Sequence, residues 1–229
     1  MKTVAIVLAG GEGSRLGGGQ PKQFTLLGDK PILAHALSRF EQADCVDGVL
    51  LVSHPAWIET ARHLAIREGY RKLMAIIPGG PTRQASSRAG LEFLERHEVE
   101  RVLIHDSARP LVSLDVIAEV ARRLSEAEVV TAAVPVADTV VRGAEGAVRE
   151  MVEREGLYAV QTPQGFRAGV IREAHERALA DGIRDATDDV QLALRLGRRP
   201  LIVDGGRFNI KITFAEDLDL ARRLLPPAG

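Results

Sequence analysis

Five apolar runs of strand length, each followed by a longer stretch, constrain this chain more than any other feature. The runs are TVAIVLA (3–9), VDGVLLVSH (46–54), KLMAIIPGG (72–80), RVLIHD (101–106) and VVTAAVPV (129–136). Between them, PILAHALSRFEQ, AWIETARHLAIREG, TRQASSRAGLEFLERH and SLDVIAEVARRLSEA carry their apolar residues at helical period. A strand with one wet face alternates apolar and polar side chains. These runs are continuously apolar, so both of their faces should be covered. The order β-α-β-α then predicts an α/β fold, with a doubly wound, mostly parallel sheet between two layers of helices. A length of 229 residues and 45% hydrophobic content fit a single domain, 1–229, with a full core. Phe40 and Trp57 are assigned to that core.

The alternation breaks at DTVVRGAEGAVREMVEREGLYAVQTPQ (138–164), which has no clean helical face. β-branched pairs around Gly143 and Gly146 predict an extended hairpin standing away from the sheet, an arm spanning about 137–159. An isolated hairpin is marginal in water, so the arm is expected to pack on a second copy and make a homodimer. Beyond it come helices at 168–181 and 188–196, a strand in RPLIVDG, a strand-like NIKIT (209–213) and a last helix from Ala215.

Several classes are disfavoured by composition. A formal net charge of −1 argues against a nucleic-acid partner. One cysteine, Cys45, leaves no disulfide framework and no cysteine metal cluster, and a reducing cytoplasm fits. No apolar run approaches the ~20 residues of a membrane span. The N-terminal apolar run is cut short by glycines and reads as a strand, not a leader.

After that first strand the chain reads GEGSRLGGGQPKQF (11–24). Glycines let a backbone turn sharply and approach a ligand, and exposed N–H groups in such a loop form an anion site. Two common phosphate motifs fail on particular residues. The dinucleotide pattern G-x-G-x-x-G finds Gly11 and Gly13 but then Leu16, and Ser53-His54 stands where an acidic residue is needed. The Walker pattern needs lysine directly after its last glycine, but Gln20 and Pro21 intervene.

What remains, strand–AGGxGSRL–glycines–PK, resembles the loop of Rossmann-like nucleotidyltransferases that wraps an NTP. PGGPTRQASSRAG, HDSARP, TPQGF, ATDD and NIKIT follow in order. Together they resemble the 2-C-methyl-D-erythritol 4-phosphate cytidylyltransferase family over essentially the whole chain, with only a loose match in 140–153. The resemblance implies transfer of CMP from CTP to methylerythritol phosphate, with pyrophosphate released, on the non-mevalonate isoprenoid route. A phosphate monoester is already ionised near neutral pH, so no strong general base is required. The obstacle is repulsion between two polyanions and charge accumulating on a five-coordinate phosphorus, which positioned cations relieve.

The resemblance assigns catalytic cations to Arg15, Lys22, Arg154 and Lys211. Ala9, Gly10, Gly11, Gly13, Gly79, Gly80, Arg83 and Ser86 are implied as the nucleotide site, with PGG (78–80) reading cytosine. Asp106 and Thr187 are implied as partners of the erythritol hydroxyls, and Arg109 and Thr139 as partners of phosphate. By residue type alone, Thr187 and Asp188 also suit a helix cap. Lys211 between Ile210 and Ile212 would face opposite to both in an extended segment. His105 is expected to be buried without a catalytic role. Mg2+ or another divalent cation is expected with CTP, held mainly by phosphate oxygens and water; no protein ligand is assigned, Asp106 being the nearest candidate. Competing readings are a cytidylyltransferase for ribitol 5-phosphate or another polyol phosphate, a sugar-1-phosphate nucleotidyltransferase, and a non-catalytic nucleotide-binding module.

Overall fold

TVAIVLA forms β1 (Thr3–Ala9), and all seven residues are buried. Ala5, Val7 and Ala9 belong to one apolar cluster, and Val4, Ile6 and Leu8 to another. Period-2 partition into two cores is what a doubly covered strand requires. The structure, a computed structural model, describes residues 2–11 and 21–225.

The remaining elements are β2 (Leu26–Leu27), β3 (Lys30–Pro31), α1 (Ile32–Gln42), β4 (Gly48–Ser53), α2 (Ile58–Glu68), β5 (Leu73–Pro78), α3 (Arg83–Leu94), β6 (Arg101–Asp106), α4 (Leu114–Arg123), β7 (Val129–Pro135), β8 (Val140–Ala144), β9 (Ala147–Val152), β10 (Tyr158–Arg167), α5 (Ala168–Ala180), α6 (Asp189–Arg195), β11 (Leu201–Asp204) and α7 (Ala215–Leu224). Among the described residues the main sheet has the order β11-β7-β10-β6-β1-β4-β5. Its pairs are parallel except those of β10, which runs antiparallel to both β6 and β7. Apolar residues of α1, α2 and α4 fill one core, and those of α3, α5 and α6 fill the other. A third cluster joins α7 to the β2–β3 ribbon through Leu218, Ala221, Leu27, Ile32 and Ile212. The expected doubly wound, mostly parallel α/β fold is therefore observed.

Three local expectations change. The run 138–164 divides in two: β8 and β9 form an exposed antiparallel hairpin, but residues from Tyr158 onward enter the main sheet as β10. NIKIT pairs with no strand and runs as irregular chain, tied to the β6 loop by Ile212 N–H donating to the Ala108 carbonyl at 2.8 Å. Trp57 is half-buried and packs on Phe24, ring centroids 5.5 Å apart, while Phe40 is fully buried. On the hairpin, Val148 is 63% and Met151 64% exposed, so the apolar side of this ribbon has no cover among the described residues. No helix among the described residues is long and apolar enough to cross a membrane.

Candidate active site

From β1 the chain winds outward through β4 to β5, then returns to β6 on the other side of β1. Open α/β sheets bind ligands at the carboxyl ends of the strands where the order reverses in this way. A cleft of about 1030 Å³ lies there. Its walls come from residues 8–11 at the end of β1, His54 after β4, residues 79–83 after β5 and residues 106–108 at the end of β6, with Lys22 and Lys211 closing it.

The glycine loop is pinned at both of its described ends. Gln23 is buried, and its Nε2 donates to the carbonyls of Ala9 at 2.7 Å and Gly11 at 3.0 Å. The 3₁₀ turn carrying Lys22 is thereby locked to the end of β1. Lys22 Nζ donates to the Ile212 carbonyl at 2.8 Å, joining residues 190 apart in sequence. Ile212 is fully buried, which is worth ~2 kcal/mol and fixes the backbone on which Lys211 stands.

Gly79 and Gly80 are required by close approach. A Cβ on Gly79 would come within 2.8 Å of Ser86 Oγ, and one on Gly80 within 2.5 Å of Ala85 Cβ and 3.1 Å of Ala85 carbonyl carbon. Without side chains the turn folds back on α3. Thr82 caps that helix by accepting from Ala85 N–H at 3.1 Å, and Ser86 Oγ accepts from Gly80 N–H at 3.2 Å and donates to the Thr82 carbonyl at 3.0 Å. The N-terminal end of α3, with its partial positive charge, thus forms one wall of the cleft.

Asp106 is the electrostatic centre. Its Oδ1 accepts from Arg83 Nε at 3.0 Å and its Oδ2 from Lys211 Nζ at 2.8 Å. Burial alone would favour the neutral acid, but Arg83 and Lys211 outweigh it and hold the carboxyl far below its ordinary range. Asp106 is therefore ionised throughout the physiological range. Arg83 also donates from Nη1 to Asp189 Oδ2 at 2.6 Å. Burial opposes the guanidinium charge, and Asp189 and Asp106 overcome that and make it harder to deprotonate.

Beneath Asp106, hydrogen-bond accounting fixes the tautomer of His105. Its Nε2 lies 3.1 Å from the Arg109 carbonyl, which can only accept, so Nε2 carries the ring proton. Asp106 N–H donates to Thr162 Oγ1 at 3.1 Å, and the Thr162 hydroxyl donates to His105 Nδ1 at 3.0 Å. Burial pushes this imidazole down to about 4 from its ordinary 6.5. Unfolded chains bind the proton near pH 6.5 and the folded chain resists it until about 4, so stability falls as pH drops through that window. For this group the loss totals about 3 kcal/mol. Thermal midpoints at pH 7 and pH 4.5 should converge in His105→Gln relative to the parent; an equal acid loss in both would assign the effect to another group.

Of the residues singled out from sequence, the cleft gathers Ala9, Gly10, Gly11, Lys22, Gly79, Gly80, Arg83, Ser86, Asp106 and Lys211. Gly13 and Arg15 lie outside the described residues. Arg109, Thr139, Arg154 and Thr187 do not line the cleft of their own chain. The Arg109 guanidinium donates to the carbonyls of Asn209 at 2.7 Å and Val160 at 3.4 Å, while its buried Nε has no partner among the described residues. Thr187 is exposed just before α6, which is capped by Asp188 accepting from Gln191 N–H at 2.8 Å. Thr139 and Arg154 are exposed at the base of the arm, where Arg154 donates to the Ala137 carbonyl. Sequence reasoning missed Gln23, Thr162 and Asp189. Each carried a signal that was not given a role: Thr162 and Asp189 stand inside TPQGF and ATDD, and Gln23 follows the Pro21-Lys22 pair.

No group of three or more His, Cys, Asp or Glu side chains able to hold a metal ion occurs among the described residues. The histidine of the cleft, His54, uses Nδ1 to cap a short turn by accepting from Ala56 N–H at 3.2 Å. The arrangement therefore offers fixed cations and backbone donors to an anionic ligand, with no nucleophile–base pair among the described lining residues.

The chain matches the family model of 2-C-methyl-D-erythritol 4-phosphate cytidylyltransferase over residues 3–226. It is 43% identical to the protein of that name from Cereibacter sphaeroides over 229 residues, 100% of this chain and 99% of that one. To the bifunctional enzyme IspD/IspF of Desulforudis audaxviator it is 44% identical over 225 residues, 97% of this chain but only 56% of that longer protein. The crystal structure of 2-C-methyl-D-erythritol 4-phosphate cytidylyltransferase from Thermus thermophilus superposes with a TM-score of 0.78 at 32% identity, covering 96% of each chain.

Proposed function

The chain belongs to the 2-C-methyl-D-erythritol 4-phosphate cytidylyltransferase family and is a transferase that moves CMP from CTP to the acceptor phosphate with release of pyrophosphate, and we propose that it does so by placing cations, with no proton abstracted by the protein. The observation that carries this reading is the convergence of Lys22, Arg83, Lys211 and Asp106 on one cleft at the switch point of the sheet. The acceptor phosphate attacks the α-phosphorus, the bond to the β-phosphate oxygen breaks, and pyrophosphate leaves. Charge on the five-coordinate phosphorus is met by Lys22, Arg15 and Lys211. A guanidinium grips two oxygens, whereas an ammonium follows one as it moves. The backbone of residues 9–11 and Gly13 would cradle the triphosphate. The Gly79–Gly80 turn and Ser86 would read cytosine through its N4 donor, leaving buried groups unpaired with UTP. Asp106 would accept from the erythritol hydroxyls.

A divalent cation would ride on the phosphate oxygens and water. Both Asp106 oxygens already accept from Arg83 and Lys211, which fits a site with few protein ligands. Reaction in the cytoplasm follows from the same reading. The test is pyrophosphate release with CTP, UTP, ATP and GTP, using methylerythritol phosphate and then ribitol 5-phosphate as acceptor. CTP with methylerythritol phosphate should dominate; a protein that binds CTP but releases no pyrophosphate with either acceptor would refute it.

The arm is assigned to a homodimer. Support comes from its uncovered apolar residues and from Arg154 and Thr139, which sit away from their own cleft and would serve the acceptor phosphate of the partner subunit. Deleting residues 141–152 should yield monomers with a raised KM for the acceptor and an intact fold. Light scattering showing an unchanged mass would exclude this role for the arm.

A further inference from the structure

Behind Arg83 lies a carboxylate that the proposed transfer does not use. Asp189, at the start of α6, has a side chain only 1% exposed. Its Oδ1 accepts from His175 Nε2 at 2.9 Å, and its Oδ2 from Ser87 Oγ at 3.2 Å and Arg83 Nη1 at 2.6 Å. Its own N–H donates to Gln164 Oε1 at 3.2 Å. Burial would favour the neutral acid, yet Arg83 and then His175 hold it ionised. A carboxylate tied from α3 and α5, on a backbone N–H anchored to β10, has almost no freedom to rotate.

This matters for how Arg83 divides its donors. A guanidinium facing one carboxylate favours two parallel N–H···O bonds to both oxygens. Here Nε goes to Asp106 Oδ1, Nη1 on the opposite edge goes to Asp189 Oδ2, and Nη2, the donor that would complete a fork with Nε, is buried without a partner among the described residues. Asp106 Oδ2 accepts instead from Lys211 Nζ, at 2.8 Å. We infer that Asp189 is a positioning residue of the active site: by gripping Nη1 on the far edge of Arg83, it holds the guanidinium at an angle where only Nε reaches Asp106, which leaves the second oxygen of Asp106 to Lys211 and so sets where the Lys211 ammonium stands. This rests on the reading above that Lys211 and Asp106 meet substrate. Without Asp189, the Arg83 guanidinium can swing until Nε and Nη2 close on both oxygens of Asp106 and displace the lysine.

In the full-length chain, Asp189→Asn keeps the shape and removes the charge. The expected result is a fall in kcat of about 10²-fold, the scale of a misplacement near 1 Å, with KM for CTP little changed. Asp189→Glu, which restores a carboxylate, should recover most of the loss. Independently of turnover, Lys211 Nζ in Asp189→Asn should be acylated several-fold faster by acetic anhydride, mapped by mass spectrometry, because Asp106 no longer holds it. A folded Asp189→Asn protein with parental kcat, or with Lys211 acylated at the parental rate, overturns the inference. Should that variant lose its cooperative thermal transition, His175→Phe carries the test, since it keeps ring volume and removes one donor to Asp189. Faster Lys211 acylation is expected there too, and a parental rate overturns the inference. Acylation needs no substrate, so its outcome stands apart from whether the parent releases pyrophosphate from CTP.

Discussion

Lys22→Ala is expected to lower kcat by about 10²–10³-fold, the range for removing one preplaced stabiliser of transition-state charge. The fold should survive it. The turn carrying Lys22 is held by buried Phe24 and by Gln23 on the Ala9 and Gly11 carbonyls, and none of these needs the ammonium. The loss includes the hydrogen bond to the Ile212 carbonyl, worth about 1 kcal/mol. Single-turnover pyrophosphate release, alongside a thermal melt, separates chemistry from unfolding. Arg15→Ala, at a position outside the described residues, is expected to behave alike. Near-normal kcat in both would contradict the assignment of charge to this loop.

The second large effect belongs to Asp106. Asp106→Ala leaves Arg83 with Asp189 as its remaining acid and takes the carboxylate away from Lys211. Removing one partner from a buried ionic network costs about 3–5 kcal/mol. The side chain of Asp106 is 13% exposed, so little solvent enters to compensate. Its folded pKa is depressed, so its contribution is fully present above the unfolded value of 3.8 and is lost as pH falls through the folded one. The gap between parent and variant in urea midpoint should therefore be full at pH 7 and shrink below pH 3.8. Turnover should fall with stability at pH 7. An Asp106→Ala protein as stable as its parent would show that the two cations do not depend on this carboxylate.

How much of this was legible depended on whether a residue's neighbours lie close in the chain. β1 could be read because six consecutive apolar residues, Val4 to Ala9, have no explanation other than two covered faces. The glycine loop, Lys22 and Lys211 were found through motif residues, and the cleft gathers both lysines. β10 was hidden by Pro163 and Gly165, which read as breakers of a central strand. The register irregularity between Val160 and Gln164 takes the proline out of the ladder. Gly165 is there for packing: a Cβ would lie 2.7 Å from Val120 Cγ1 on α4. NIKIT has the alternation of a strand, but Ile212 is buried by α7 and the β2–β3 ribbon, and the segment pairs with no strand among the described residues. Asp189, though it stands in ATDD, was given no role because its partners come from two remote stretches, Arg83 and Ser87 on α3 and His175 on α5, and a second acid in a helix's first turn looks like ordinary capping chemistry.

The position of β10 also dictates an order of events on the ribosome. β6 and β7 are successive strands of the main sheet, yet β10 sits between them. A nascent chain that has released β7 cannot complete the sheet, because the strand separating it from β6 is still inside the exit tunnel. Until residue 167 emerges, β6 keeps a bare hydrogen-bonding edge, the kind of surface that invites pairing with another copy. The arm is translated during that interval, so the segment assigned to the subunit contact is synthesised before the sheet beneath it can close.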